Sequence, residues 1–523
     1  MQIYKGNILT VNKNDDVFNY LVEDGGIILF TGNELPEEYN NYSITDLGGR
    51  ALIPSFADTH QHFASFSLFN AGLNVMEAES NIEILSMIKE YHARCKSKLL
   101  IAFGASPYSV VERRLVTREE LDSVCPDKPF FMVKYDGHAC IVNSMLLKLV
   151  KTKVEKLRGY HPDTGEMNQE AFFAVSDYVT NSISIPMLIK NMQQAVDHEA
   201  SKGIGMIHSV SGVGFPMNMD ISMEKWFAKS VQGGFQLRIF PQSMNTSVAK
   251  SRKMRRIGGC FQCALDGCFG SQDAAMNAPY CNDPNNKGVL YYSDEAVIDF
   301  CKKANRLGLQ IEMHAIGDRA FDQATIALKA ALDDYPRADH RHGIIHACLP
   351  TENGMKICRD YNIQLPMQIA FDNWRQEPPE YTEELLGKER NSALNPIKCF
   401  SDNGCMVSFG SDAPCTDPDP IVWLYKAVNH SNPYESVDIK KALRMATYNG
   451  YWATFDEENR GSLEPGKTAD MVILSDNPYT MKKDELYKLK VESLILGGKP
   501  YSPQAQSVPA IVAKGLFSIS RAF

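Results

Sequence analysis

From residue 53 to about residue 450 the chain alternates between two patterns. Short, largely apolar runs give way to longer stretches in which apolar positions return every three to four residues. Runs of the first kind occupy Leu99–Gly104, Pro129–Tyr135, Gly205–Val210, Leu237–Gln242, Cys260–Leu265, Leu309–His314, Gly343–His346, Ile363–Gln368 and Met406–Gly410. Their length and composition predict strands. The longer stretches predict helices, clearest at Met187–Lys202, Asp318–Asp334 and Val437–Asn449. In the first of these, Leu188, Met192, Ala195, Val196 and Glu199 keep a helical period, and Gly203 supplies a stop. Strand and helix in alternation predict parallel β/α units. There are more strand runs than a (β/α)8 TIM barrel needs, so some are assigned to insertions.

The two ends of the chain read differently. Residues 1–52 alternate short strands with turns, as in Ile3 to Val11 and the run from Gly25 to Gly32. Residues 455–505 return to short β character around Gly461-Ser462-Leu463-Glu464-Pro465-Gly466 and Met471-Val472-Ile473-Leu474. The two ends are expected to complete one small β module around a barrel over 53–454. The stretch from about 65 to 200 holds more elements than one β/α unit and contains the turn-rich Gly159–Gly165. It is expected to be partly an inserted subdomain over the active-site mouth. Residues 506–523 read as a mildly apolar tail.

Composition narrows the class. At 523 residues, 44% hydrophobic and 22% charged, the chain is that of a globular protein too large for one ordinary domain. Its net charge of −9 argues against nucleic acid or an anionic membrane surface as partner. No run approaches the ~20 apolar residues of a membrane span, and the N-terminus lacks a secretion-type apolar segment. Thirteen cysteines, an odd number, read as free thiols of a reducing cytoplasm.

Against this background five residues stand out, each at the end of a strand run: His60 and His62 in Asp58-Thr59-His60-Gln61-His62, then His314, His346 and Asp412. A His-x-His pair points both imidazoles to one face of a strand. Singly, each histidine reads equally well as a packed or surface residue, and Asp412 as a helix cap. Together, at strand ends that a parallel barrel brings to one face, they predict a site for zinc or a similar divalent ion. Cys260-x-x-Cys263 with Cys268 lacks a second matching pair and reads as simple thiols. Asp318 reads as the N-cap of its helix.

Several stretches together resemble the amidohydrolase superfamily. They are the His-x-His stretch, Met313–Asp318, Arg341–Ala347, Gly410-Ser411-Asp412-Ala413-Pro414 and Arg460–Asp470. Asp136-Gly137-His138-Ala139 and Leu265-Asp266-Gly267 resemble its family 3 branch, that of YtcJ-like proteins and N-substituted formamide deformylases. The resemblance implies a metal-dependent hydrolase on a distorted (β/α)8 barrel, with a β-sandwich built from both chain ends. It implies His60, His62, His314, His346 and Asp412 as ligands of a divalent ion, most readily Zn2+, with Fe2+ or Mn2+ as alternatives. It implies Asp412 as proton acceptor and His138 as a residue that binds a substrate or transition-state oxygen. Many members carry a bridging lysine four residues before the Asp of the Leu-Asp-Gly motif. This chain has Gln262 there, whose amide cannot become a carbamate, so one ion is expected rather than two. Phe371 and Trp374 are candidates for an aromatic substrate pocket. The expected reaction is hydrolysis of an amide, formamide or cyclic amide, with a small molecule as partner and a homodimer by analogy. The alternatives are deamination of a ring amine, disfavoured because no Glu closely follows His314 or His346, and a non-catalytic assembly homologue.

Overall fold

The computed structural model describes residues 1–503 except 214 and 232, together with residues 508–517. Among these residues eight strands carry the site: β1 (Phe56–Gln61), β2 (Ile204–Ser211), β3 (Gln236–Pro241), β4 (Arg256–Ala264), β5 (Gln310–Ala315), β6 (Gly343–His346), β7 (Leu365–Met367) and β8 (Val407–Phe409). All neighbouring pairs that form ladders are parallel. Nearly every residue of these strands is buried, as expected of parallel strands covered on both faces. The helices that follow them are built to lie on that wall. In Asp294–Arg306, for example, Val297, Phe300, Cys301 and Ala304 form the buried stripe, Ser293 caps the first turn, and Lys303 and Arg306 sit at the negative end of the dipole.

The expected TIM barrel needs correction, because the ladders do not close. The eight strands form three separate parallel sheets, β3-β2-β1, β4-β5-β6 and β7-β8. Only isolated contacts bridge some of the gaps. Gly343 pairs with Gln364 beside β7, and Thr59 Oγ1 of β1 donates to the Phe409 carbonyl of β8 (2.8 Å). The physical reason lies in the strands themselves. β7 and β8 are three residues long, and the register of β4 jumps from Gly259↔Met313 to Ala264↔His314, which removes residues 260–263 from the ladder.

The strands of the two chain ends meet in one seven-stranded sheet among the described residues. Alternation of side chains gives this sheet two apolar faces. Ile8, Leu52, Met471, Ile473 and Ile495 face a small core of this sheet's own. Leu9, Ala51, Ile53, Val472, Leu474, Leu494 and Leu496 face the main core, so the rest of the molecule supplies the second layer. Between β1 and β2 lies a further sheet of six strands drawn from Leu73–Asn74 to Glu166–Asn168, with apolar clusters on both faces.

Other expectations shift locally. Val437–Asn449 is divided into Ile439–Ala446 and Tyr448–Ala453 at Thr447, whose backbone leaves the helical region. Beyond the break Gly450 lies so close to β1 that a Cβ there would come within 2.6 Å of the Ala57 Cβ. The cap of Asp318–Asp334 is Gly317; Asp318 is the first helical residue and accepts from the Asn277 amide (2.8 Å). From the stretch read as a tail, Val508–Phe517 forms a helix beside Met219–Ser230, while 504–507 and 518–523 lie outside the described residues. No single described helix is long and apolar enough to cross a membrane.

Polar groups fill the wall below the site. Glu312 is buried on β5 and accepts from Gln364 Nε2 (3.2 Å). Burial pushes its carboxyl up to about 8, against the opposing pull of the Arg256 guanidinium. In an unfolded chain a glutamate titrates near ~4.3. Between those values the folded state holds the extra proton, so this group's contribution to stability is present at low pH and is lost as pH rises through about 8. Glu312→Gln removes the ionisation and preserves the shape. Scanning calorimetry from about pH 6 to about pH 9 is therefore expected to show the variant losing less stability than the parent as pH rises. Parallel losses in the two proteins would mean that Glu312 is already ionised in the fold.

Candidate metal centre

The five strand-end residues predicted from sequence converge. His60 lies on β1 and His62 just beyond it, and the i, i+2 spacing sends both rings to the same side. His314 is near the end of β5, His346 is the last residue of β6, and Asp412 follows β8. Asp412 Oδ1 lies 3.1 Å from His60 Nε2 and 3.2 Å from His62 Nε2. Ring centroids are 5.5 Å apart for His60 and His346, and 4.5 Å apart for His314 and His346. All five residues are buried. One donor atom each of His60, His346 and Asp412 lies within 4.8 Å of the other two.

Electrostatics put these groups in the protonation state a cation requires. Burial acts to raise the Asp412 carboxyl, but the His60 and His62 imidazoles outweigh it and hold it well below the usual carboxylate range. Burial pushes His60 down despite Asp412, and it pushes His346 well down. The result is an anionic carboxylate beside His60 and His346, whose burial favours the neutral imidazole that binds a cation. Asp412 Oδ1 has no hydrogen-bond partner. A buried anionic oxygen without a donor is costly, and a shared divalent ion removes that cost, so the residues fit such an ion.

Two carboxylates outside the cluster hold it in shape. Asp58 accepts from the amides of His60 (3.2 Å) and Ser411 (2.9 Å), from Gln61 Nε2 (3.2 Å) and from Ser411 Oγ (2.5 Å). It thereby ties the first ligand strand to the loop that carries Asp412. Burial pushes Asp58 up to about 7 against those hydrogen bonds. Asp266 accepts from the amides of Ile316 (3.0 Å), Gly317 (2.8 Å) and Ala275 (2.9 Å), and its Oδ1 lies 3.4 Å from His314 Nδ1. It fixes the loop after β5 and places a carboxylate oxygen beside the ring of His314. The backbone also carries strain here. Phe261, His346, Ala347 and Asp412 have φ between 45° and 71°, a region that costs a non-glycine residue ~1–3 kcal/mol.

Above the donors opens a cavity of about 1070 Å³. Phe103, Phe131 and Val133 reach it from the inserted sheet, and Phe371 and Trp374 reach it from the loop after β7. Phe371 stacks on His346 at 6.1 Å and lies tilted against Trp374 at 4.6 Å. His138 is half-buried in the same wall. Phe261 stands between it and the cluster, with ring centroids 6.2 Å from His138 and 5.0 Å from His62. His208 stays out of the cluster: it is buried beside Thr454 Oγ1 (3.3 Å), and burial lowers it to about 3.

Gln262 holds the motif position at which many members carry the bridging lysine. It is exposed on the excursion of β4, and its carbonyl accepts from Tyr292 Oη (2.8 Å). The residue of that excursion which enters the cluster is Cys260, whose Sγ lies 3.3 Å from His60 Nε2 and 3.9 Å from His346 Nε2. The register jump takes Cys260 and Gln262 off the ladder. The available signal was the pair Gly258-Gly259 just before Cys260. Their φ values of 115° and 122° are open to glycine and hostile to other residues. Asp266 was likewise used only as a marker for the count.

Residues 43–501 match the family model described as the amidohydrolase family. The chain is 23% identical to YtcJ of Bacillus subtilis (strain 168), over 94% of this chain and 98% of that one. It is also 23% identical to the N-substituted formamide deformylase of Arthrobacter pascens, over 94% of this chain and 96% of that one. Among solved structures, an uncharacterized metal-dependent hydrolase from Pyrococcus horikoshii OT3 superposes with a TM-score of 0.74 at 22% identity. That match covers 92% of this chain and 99% of the other and shows a shared fold.

Asp266→Asn keeps most of the loop hydrogen bonds and weakens the hold on His314. Chelator competition on the purified protein is expected to show metal retention reduced ~10–100-fold. Unchanged retention would mean that the His314 ring is set by packing alone.

Proposed function

The chain belongs to the amidohydrolase family, and from that premise we propose that it cleaves a non-peptide carbon–nitrogen bond, that of an amide, formamide or cyclic amide, with the help of a divalent ion. The observation that carries this reading is the convergence of four buried imidazoles and one buried carboxylate beneath an aromatic-walled cavity. His60, His62, His314, His346 and Asp412 would hold the ion. The donor set suits Zn2+, with Fe2+ or Mn2+ as alternatives. When bound, such an ion supplies Lewis acidity and brings the pKa of water from ~15.7 towards ~7. We read the three parallel sheets as the wall of a distorted barrel whose strand ends form the floor of the site.

Asp412 takes the proton of the attacking water and passes it to the leaving nitrogen. Its place against His60 and His62 and its depressed pKa keep it unprotonated for that purpose. His138, on the far side of the Phe261 ring, donates to a substrate oxygen. Phe371 and Trp374 hold an apolar or aromatic part of the substrate by stacking. The cavity is larger than a bare formamide needs and falls at the upper end of small-molecule sites, so a bulky substituent is expected on the nitrogen or the acyl carbon. The ring-amine alternative calls for a carboxylate soon after His314 or His346. Ile316 and Cys348, which follow those two ligands into the cavity wall, provide none. Free cysteines throughout the chain fit a cytoplasmic setting.

The test is a panel of N-aryl and N-alkyl formamides, cyclic amides and ring amines, offered to protein reconstituted with zinc, iron or manganese. Release of amine and carboxylate, lost on chelation and restored by metal, is the expected result. Asp412→Asn is expected to lower kcat by ~10²–10⁴-fold. Ammonia from ring amines alone would replace the reading with deamination. Protein that takes up no metal and turns over nothing would point to an assembly role. Trp374→Ala is expected to raise KM for aromatic substrates more than it lowers kcat. An equal effect on small aliphatic amides would remove Trp374 from substrate binding.

A further inference from the structure

Glu377 stands on the loop after β7, three residues beyond Trp374, and its carboxyl opens on the cavity. A fixed frame aims it there. Tyr135 is fully buried, and its Oη donates to Glu377 Oε1 (2.9 Å). Gly270 leaves room for the pair: a Cβ on it would come within 2.1 Å of Glu377 Oε1 and 2.6 Å of Tyr135 Oη. The Gly270 carbonyl accepts in turn from Tyr381 Oη (2.9 Å) and Tyr108 Oη (3.4 Å), whose rings stack at 4.0 Å. Gln376 ties the loop to the ends of two strands of the inserted sheet. Its carbonyl accepts from Ser106 Oγ (3.1 Å), and its Nε2 donates to the Met76 carbonyl (2.8 Å).

This frame supplies hydrogen bonds but no counter-charge. The Lys134 ammonium that acts on Glu377 is engaged by Asp136 Oδ2 (2.7 Å). Burial pushes the Glu377 carboxyl up to about 7 against the Tyr135 hydroxyl and Lys134, so a cation brought to it would offset the desolvation. Among the described residues that line the cavity, Lys388 is the sole lysine or arginine, while Asp177, Glu377 and Glu383 add carboxylates away from the donor cluster. Three ring contacts lead from that cluster towards Glu377: His346 to Phe371 at 6.1 Å, Phe371 to Trp374 at 4.6 Å, and Trp374 to Tyr135 at 5.2 Å. The cavity thus offers in order the donor cluster, aromatic faces and an anionic end. A ligand of matching order carries its hydrolysable group first, a flat or apolar middle, and a cation last.

Resting on the hydrolase reading of this site, we propose that Glu377 sets specificity by pairing with an ammonium or amidinium group at the end of the substrate remote from the scissile bond, so that the substrates are amides or formamides with a basic arm. The carboxylate takes up the charge and its hydrogen bonds. Trp374, joined to Glu377 by a backbone turn (Glu377 N to Trp374 O, 3.1 Å), supplies an aromatic ring that a cation favours.

The probes are 4-(aminomethyl)formanilide, a cation at neutral pH, and 4-ethylformanilide, its neutral counterpart of the same length. Each is offered to the full-length protein reconstituted with metal. The parent is expected to prefer the cationic probe. In Glu377→Gln that preference in kcat/KM is expected to fall ~10–100-fold, with the change carried by KM. No preference in the parent, or a preference that Glu377→Gln leaves intact, would overturn the proposal and leave the hydrolase reading standing. Turnover of neither probe would count against the hydrolase reading, and calorimetric titration of the same pair then decides the recognition. Tighter binding of the cation, lost in Glu377→Gln, upholds it; equal binding overturns it. Should Glu377→Gln fail to fold by circular dichroism, 4-formamidobenzoate, which puts a carboxylate in the cation's place, decides the matter on the parent. It is expected to be the poorest of the three, and parity with the amine would overturn the proposal.

Discussion

The molecule is organised around the difficulty of keeping one carboxylate and four imidazoles within a few ångströms of each other away from water. Asp412 is nearly out of solvent, anionic, and in contact with His60 and His62. Left to relax, such a cluster would spread apart or take up protons. It is kept together because its members sit at the ends of stiff parallel strands, and because Asp58 and Asp266 bind the backbone of the loops that carry them. Left-handed φ values at His346, Ala347 and Asp412 show that the surroundings, not local preference, set these positions.

The inserted sheet and the loop after β7 give this cluster its chemical surroundings. They bring Phe103, Phe131, Phe371 and Trp374 to its cavity, alongside polar residues such as His138, Asp266 and Glu377. Those rings lower the local dielectric, which strengthens every interaction between the cluster and a charge developing on a substrate. The sheet of the two chain ends has a different task. With one face on its own core and the other on the main core, it closes the outside of the wall and leaves the strand-end face free.

How much of this was legible can be read from particular elements. Asp318–Asp334 and Gly343–His346 have the limits expected from their apolar periodicity, since local pattern and packing agree there. Val437–Asn449 reads as one helix because nothing in its local pattern shows that Gly450 must press against β1. A distorted (β/α)8 barrel was expected from strand count, alternation and the family resemblance, but strand count and alternation report only local structure. Three-residue strands and a register jump opened the ladders, and register is a property of pairs of strands. Gln262 was read from a motif as the residue at the bridging position, and no local pattern showed that the register jump would carry Cys260 to the cluster.

The sequence by itself determined the parallel β/α organisation, the five ligand-type residues and the family, because each of these is written in short-range periodicity and in residue identity at strand ends. Only the tertiary structure decided which sulfur faces the histidines, how Asp58 and Asp266 brace the ligand loops, and which aromatic rings line the cavity. Those facts depend on the register and approach of segments up to several hundred residues apart, such as the 353 that separate Asp58 from Ser411. No local pattern encodes a distance of that kind, and it is fixed only when the strands pack.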